Sequence, residues 1–263
     1  MQNFCITILE AKLSAIVKYF NNKLIWGKMA HLKRFSAPET WRIARKVKKW
    51  AIRPSPGPHP VERSLPLAVV IRDYLKLADS LREAKKIIAA RKILVDGKGR
   101  RDYKFPCGLM DVVSIPDIDE HYRILFDSKG HLRLVKIDSE EAKWKLSRIE
   151  NKTTVKGGRL QLNLHDGRNI ITEENNYNTG DVLKISLPEQ EIMEKIPLEK
   201  GYLALVIGGT HTGEIAEIEE IVVTKSPMPN IVKLKGFSTI KPYVFPIGKD
   251  KPLVELPKVE IYE

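Results

Sequence analysis

The chain is poor in cysteine and holds no residue pattern that would bind a metal. Cys5 and Cys107 are its two thiols among 263 residues. On their own they cannot make a disulfide framework or a zinc site, and unpaired thiols in a reducing cytosol are expected. The histidines, His31, His59, His121, His131, His165 and His211, never occur at metal-ligand spacing. No apolar run is long enough to span a membrane. The stretch "ITILEAKLSAIVKYF" is apolar, but it lacks a basic leading region and is interrupted by Glu10 and Lys12, so it is not read as a signal peptide. The character of the chain changes abruptly after Met29. Residues 1–28 are therefore expected to be an upstream extension, with Met29 the natural start.

Carboxylates are scarce in the first half. The formal net charge is +12, which calls for an anionic partner: nucleic acid, an anionic membrane or an acidic protein. Residues 29–63 carry nine basic and two acidic side chains, and residues 64–116 carry eleven and six. Residues 117–263 carry twenty-one and twenty-four. An evenly solvated basic surface would not be polarised in this way.

Residues 31–63 place Lys33, Arg34, Arg42, Arg45, Lys46, Lys48 and Lys49 around Trp41 and Trp50. A short helix is expected after Pro38. "RPSPGPHP", from Arg53 through Pro60 and including His59, is expected to be an extended strap, because its prolines fix φ and remove donors. It has little core of its own and is expected to order against a partner. Dense charge beside the strap favours phosphate contact over a solvated run. The two tryptophans fit base stacking and anchoring of the arm on its own domain equally well.

Residues 64–78 predict a helix capped by Ser64, with Leu67, Val70, Ile71 and Tyr74 on one face. Ser80 and Glu83 form a capping box for a second helix, on which Leu81, Ala84 and Ile88 make the buried stripe. Arg82, Lys85 and Lys86 point elsewhere. Arg91 and Lys92 end that helix. The strand "KILVDGK" follows, with Asp96-Gly97 as a tight turn, and Lys98, Arg100, Arg101 and Lys104 come next. Residues 109–115 predict a further strand. Helix end and hairpin turn together make one basic edge suited to the phosphates of a folded RNA. From residue 117 the pattern is short alternating strands, interrupted by a helical piece around "SEEAKWKLSRIE", which suggests small barrels or sandwiches.

Two stretches invite a catalytic reading and fail it. In "GGTHTGEI", Gly208 and Gly213 have phosphate-loop spacing, but Glu214 stands at the lysine position and Ile215 at the Ser/Thr position. Glycines turning a barrel loop, with His211 at an exposed tip, is the better reading. "GGRLQL" resembles the G-R-L-D stretch of pseudouridine synthases, but Gln161 replaces the catalytic carboxylate and an amide cannot be the nucleophile. No other triad or dyad emerges.

Taken together, "HLKRFSAPETW" (31–41), "RPSPGPH" (53–59), "SLPLAVVIRDYLKLA" (64–78), "ILVDGKGRRDYKFPCGLMDVVSIP" (93–116), "LNLHDGRNI" (162–170) and "TGDVLKISLP" (179–188) resemble the small-subunit ribosomal protein S4e family, the archaeal and eukaryotic type, over nearly all of residues 29–263. The resemblance implies a multidomain α+β fold. It comprises a basic arm (29–63), an S4-type RNA-binding domain of helices and a hairpin (64–116), a central β domain (117–195), and an SH3-like KOW barrel with a C-terminal tail (196–263). Ala216 stands where the KOW motif usually has glycine. It further implies a non-enzymatic role in the cytoplasmic ribosome, holding small-subunit ribosomal RNA beside neighbouring ribosomal proteins. No cofactor, metal, membrane or small-molecule substrate is expected. An RNA-modifying enzyme and a KOW-type transcription or translation factor are the competing readings.

Overall fold

The computed structural model describes residues 31–254. The expected extension 1–28, Cys5 and the last nine residues lie outside the described residues. The chain divides into two compact units, residues 31–37 with 45–53, and residues 38–44 with 54–254.

The smaller unit is built on a two-stranded antiparallel ladder, Leu32–Lys33 with Trp50–Ala51. A 3-10 turn, Arg34–Ser36, follows the first strand. The helical turn of the arm therefore precedes Pro38, and residues 38–44 form one turn at 39–40 followed by irregular chain rather than the expected helix.

The larger unit is mostly β, with two short helices. Ser64–Pro66 is a strand paired with Pro106–Gly108, not the cap of a helix. The helix begins one residue after Pro66, as Leu67–Val69 (α1), and continues as a π turn over Val70–Tyr74. The expected apolar face is only part of its burial. Leu67, Ala68, Val69, Val70 and Ile71 are all at most 1% exposed, because a helix apolar all round must be enclosed all round. The second helix, Leu81–Ala89 (α2), carries the expected capping box: Ser80 Oγ accepts from the Glu83 N–H at 3.3 Å, and Glu83 accepts from the Ser80 N–H. A cap of this kind contributes about 1 kcal/mol. Ala84 and Ile88 are buried, Leu81 is half-buried, and Arg82, Lys85 and Lys86 are exposed.

Three five-stranded antiparallel sheets follow. The first runs Lys98–Gly99, Leu94–Val95, Val112–Ile115, Glu120–Phe126, Leu132–Ile137. Its hairpin turns at Asp96-Gly97, both at positive φ (52° and 73°), as a tight two-residue turn requires. This sheet crosses residue 116, so the strands expected to open the central domain extend the hairpin's own sheet. The second runs Asn169–Thr172, Leu160–Leu164, Trp144–Thr154, Val182–Ser186, Ile192–Ile196, over a core of Ile149, Leu162, Leu164, Leu183 and Ile185. The third runs Phe237–Ile240, Ile231–Leu234, Ile215–Val222, Leu203–Val206, Val244–Gly248, over Ala204, Val206, Ile218, Val232, Leu234 and Val244.

The helix expected around "SEEAKWKLSRIE" is a single 3-10 turn, Glu141–Lys143, followed by an eleven-residue strand, Trp144–Thr154. Lys145 to Ile149 are all buried. A strand enclosed on both faces loses the alternation by which strands are recognised.

Buried cations join the sheets of the larger unit. Arg123, fully buried on the first sheet, donates from Nη2 to the carbonyls of Glu141 (2.8 Å) and Trp144 (3.0 Å) and lies over the Trp144 ring. Arg148 donates from Nη1 to the carbonyls of Pro242 (2.8 Å) and Val244 (3.0 Å). The second sheet is thereby bonded to both neighbours.

Candidate nucleic-acid interface

The expected cations of residues 82–104 gather where α2 meets the hairpin. Arg82, Lys85, Lys86, Arg91, Lys92, Lys98 and Arg101 are exposed, and Arg100 and Lys104 are half-buried. The loop between hairpin and Pro106 is fixed to α1: the N–H groups of Leu67 and Ala68 donate to the carbonyls of Phe105 (2.9 Å) and Tyr103 (3.0 Å). That anchoring sets aromatic rings among the cations. Lys85 Nζ lies 4.2 Å and Lys104 Nζ 5.5 Å from the Tyr103 centroid, and the Arg100 guanidinium lies 4.3 Å from that of Phe105. Cations held over ring faces keep their charge and lose side-chain freedom, which lowers the ordering cost when a phosphate is bound. Lys92 pairs with Asp117 at 2.6 Å, both about half exposed. Such a surface pair is worth little and leaves the ammonium available.

In the smaller unit Lys33, Lys46, Lys48, Lys49 and Trp50 are exposed, and Arg53 is half-buried. Arg45 turns inward on its own unit, and its Nη1 faces the carbonyls of Arg34, Phe35 and Ala37. Arg42, in the larger unit, is exposed, and its N–H donates to the Tyr74 hydroxyl at 2.9 Å.

Three of the expected surface residues are buried. Trp41 is 1% exposed and donates from Nε1 to the Ser64 carbonyl at 2.7 Å. Of the two roles open to it, the anchoring one is realised. Arg34 is 3% exposed. His59 is 7% exposed, with Nε2 at 3.0 Å from Asp111 Oδ2. The strap is likewise not left waiting for a partner, since the Ser55 N–H donates to the Lys104 carbonyl at 2.9 Å and His59 seals against Gly108. A Cβ built on Gly108 would lie 2.2 Å from His59 Cγ.

His59 enters a buried ionic cluster that sequence reasoning missed. Lys145, fully buried, places Nζ at 2.8 Å from Asp96, 3.1 Å from Asp111 and 2.5 Å from Asp166. Arg168 bridges Asp96 (2.5 Å) and Asp166 (3.3 Å). Backbone N–H groups of Val112 and Gly108 donate to Asp96 and Asp111. Burial opposes charge on Asp111, but His59 and Lys145 outweigh it and hold the carboxyl well below the usual range. Lys145 and His165 likewise hold Asp166 down against burial. Burial and the neighbouring Asp111 push Asp96 up, so of the three aspartates it is the first to take a proton as pH falls. On His59, burial is outweighed by Asp111 and the imidazole is raised. His165, beside it at 5.9 Å between ring centroids, is lowered by burial to about 3. The three aspartates converge on an ammonium, and among the described residues no group of His, Cys, Asp or Glu is placed to hold a metal. The one available signal was the pair of Asp-Gly turns, at 96–97 and 166–167. Each was legible as a turn, but not as a carboxylate aimed at a common lysine.

The remaining motifs have structural places. Cys107 is a buried free thiol. His211 stacks on Phe237 at 4.1 Å and pairs with Glu214 at 3.0 Å. Gln161 lies on a strand and donates to Asn163.

Comparison with known proteins bears on what the basic surface is for. Residues 27–62 match the RS4NT (NUC023) domain, residues 65–113 the S4 domain, and residues 118–192 the Ribosomal family S4e. Small ribosomal subunit protein eS4 of Methanothermobacter thermautotrophicus is 54% identical over 238 residues, covering 89% of this chain and 98% of that protein. The protein of the same name from Methanocaldococcus jannaschii is 49% identical over 243 residues, covering 88% and 98%. That of Ignicoccus hospitalis is 47% identical over 248 residues, covering 89% and 97%. Among solved structures, the 30S ribosomal protein S4e from Thermoplasma acidophilum aligns with a TM-score of 0.63 at 40% identity, covering 72% of this chain and 96% of its own. With relatives near half identical over almost their whole length, the chain belongs to the ribosomal S4e family.

Proposed function

We propose that this chain is a structural constituent of the small ribosomal subunit that binds ribosomal RNA and supports assembly of the particle. It is not an enzyme. The observation that carries the reading is the coincidence of the S4-domain match with a fixed, ring-backed cationic edge on residues 82–104. Arg82, Lys85, Lys86, Arg91, Lys98, Arg100, Arg101 and Lys104 contact phosphates there. Lys33, Arg42, Lys46, Lys48, Lys49 and Arg53 supply further phosphate contacts from the arm. Residues 196–254 form a KOW-type SH3-like barrel, a reading supported by the third sheet and the apolar core it covers. The β-rich half meets neighbouring ribosomal proteins and places the RNA-binding surface. The chain works as part of the ribosome in the cytoplasm.

Each phosphate neutralised releases counterions, so affinity for small-subunit RNA is expected to fall steeply with salt. Changing Lys85 and Lys86 together to Glu weakens binding and shallows the salt slope while the melting temperature stays put, because both side chains are exposed. Binding that is flat across a salt series, or an unchanged RNA footprint in the double variant, refutes the assignment.

A further inference from the structure

We infer that Phe35 and Trp50 form a stacking platform for unpaired bases, so that the arm recognises a looped or bulged RNA and not the phosphate backbone alone. The inference rests on the RNA-binding reading and deepens it. Phe35 is 69% exposed and Trp50 50% exposed. Phe35 lies on the 3-10 turn that leaves the first strand of the two-stranded ladder, and Trp50 lies on its second strand. Lys33 is the register partner of Trp50, and the Arg34 N–H donates to the Lys49 carbonyl at 3.0 Å.

The turn that bears Phe35 is not loose. Arg45 Nη1 lies 3.4, 3.2 and 2.9 Å from the carbonyls of Arg34, Phe35 and Ala37, and the Ala37 N–H closes back on the Arg34 carbonyl at 3.2 Å. One guanidinium thus holds the backbone on both sides of Phe35 while its ring stays in water. A large apolar side chain kept exposed on a fixed backbone gains nothing for the fold, and pre-organisation is what a binding surface needs. Trp50 is similarly restrained. The His31 ring is tilted against it at 5.7 Å and Lys49 Nζ lies 5.2 Å from its centroid, and half of its surface is left open.

The surroundings select the occupant. Residues 31–37 and 45–53 hold seven lysines and arginines and no carboxylate, and Lys33, Lys46, Lys48 and Lys49 are exposed. A polyanion that also presents flat apolar faces satisfies both features, and RNA with unstacked bases is that polymer.

The test uses the full chain and a transcript of Methanothermobacter thermautotrophicus small-subunit ribosomal RNA, with affinity measured across a salt series. Phe35→Ala and Trp50→Ala are each expected to weaken binding by about 5- to 150-fold, the range for loss of one stacked base. The salt slope stays unchanged, since no ionic contact is removed. Phe35→Trp retains affinity and Phe35→Leu does not. Unpaired bases protected from chemical modification by the wild-type protein become reactive in the alanine variants. If the wild-type chain binds with a steep salt slope but both alanine variants match it, the platform is wrong and the RNA reading stands. Full restoration by Phe35→Leu overturns stacking in favour of generic apolar packing. Loss of binding to phosphatidylserine vesicles in Phe35→Ala, with RNA affinity intact, also overturns it. A wild-type chain that ignores the transcript at low salt removes the RNA reading itself.

Discussion

Replacing Lys145 with Met tests the central packing argument most severely. Methionine nearly preserves the volume and removes one charge. That ammonium is fully buried and lies 2.5–3.1 Å from three carboxylates. With it the cluster holds three aspartates against Lys145, Arg168 and a protonatable His59. Without it, Arg168 and His59 must balance three buried anions, and Asp111 loses one of the two cations that hold it ionised. Breaking a buried pair by removing one partner costs about 3–5 kcal/mol, since the other partner is left uncompensated. For a body of this size each kcal/mol shifts the melting temperature by about 2–4 °C, so the expected fall is roughly 6–20 °C at pH 7. The assay is thermal unfolding of the full chain between pH 7 and pH 4. Asp96, already pushed up by burial and by Asp111, is the first of the three aspartates to take a proton as pH falls, so the deficit of Lys145→Met narrows in acid. A variant that melts with the wild type at pH 7, or whose deficit widens in acid, refutes the charge-balance reasoning.

The remaining predictions concern the strap. Asp111 raises the His59 pKa, so the stability that His59 contributes is complete below its unfolded value of about 6.5 and is lost as pH rises through the higher folded value. Wild-type melting temperature is expected to fall as pH rises above about 6.5, and His59→Gln to lack that fall; an identical pH profile in the two proteins removes His59 from the cluster's charge balance. His165 works the other way, because its pKa is lowered to about 3 by burial and the unfolded chain takes its proton first below about pH 6.5. Gly108→Ala drives a Cβ to 2.2 Å from the His59 ring and is expected to destabilise by about 1–3 kcal/mol, the usual cost of overpacking. His59→Ala in the same chain relieves the clash, and a double variant less stable than the sum of the two singles argues against it.

Elements coded by local chemistry were legible. Ser80 and Glu83 satisfy each other's backbone donors three residues apart, and Asp96-Gly97 supplies the two positive φ values that a tight turn needs. Both features depend on neighbours in the chain, so the sequence shows them directly. The basic edge was legible for the same reason, as cations dense on one helix and one hairpin. His59 and Arg34 were misplaced, and Trp41 was left between two roles, because a polar or amphipathic side chain near charge looks the same in sequence whether it faces water or the interior.

The sequence by itself determined the polarity of charge, the strand-rich second half, the family resemblance and the start of α2. Only the tertiary structure decided what the second half does for the first. Residues 145–149 are enclosed on both faces, so this part of the strand carries no alternation to read. Lys145 and Arg148 look like solvated charges until residues 96, 111, 166, 242 and 244 arrive around them. An ion pair between segments far apart in the chain leaves no local trace, because its free energy depends on burial and distance, and both come into being only when the sheets pack.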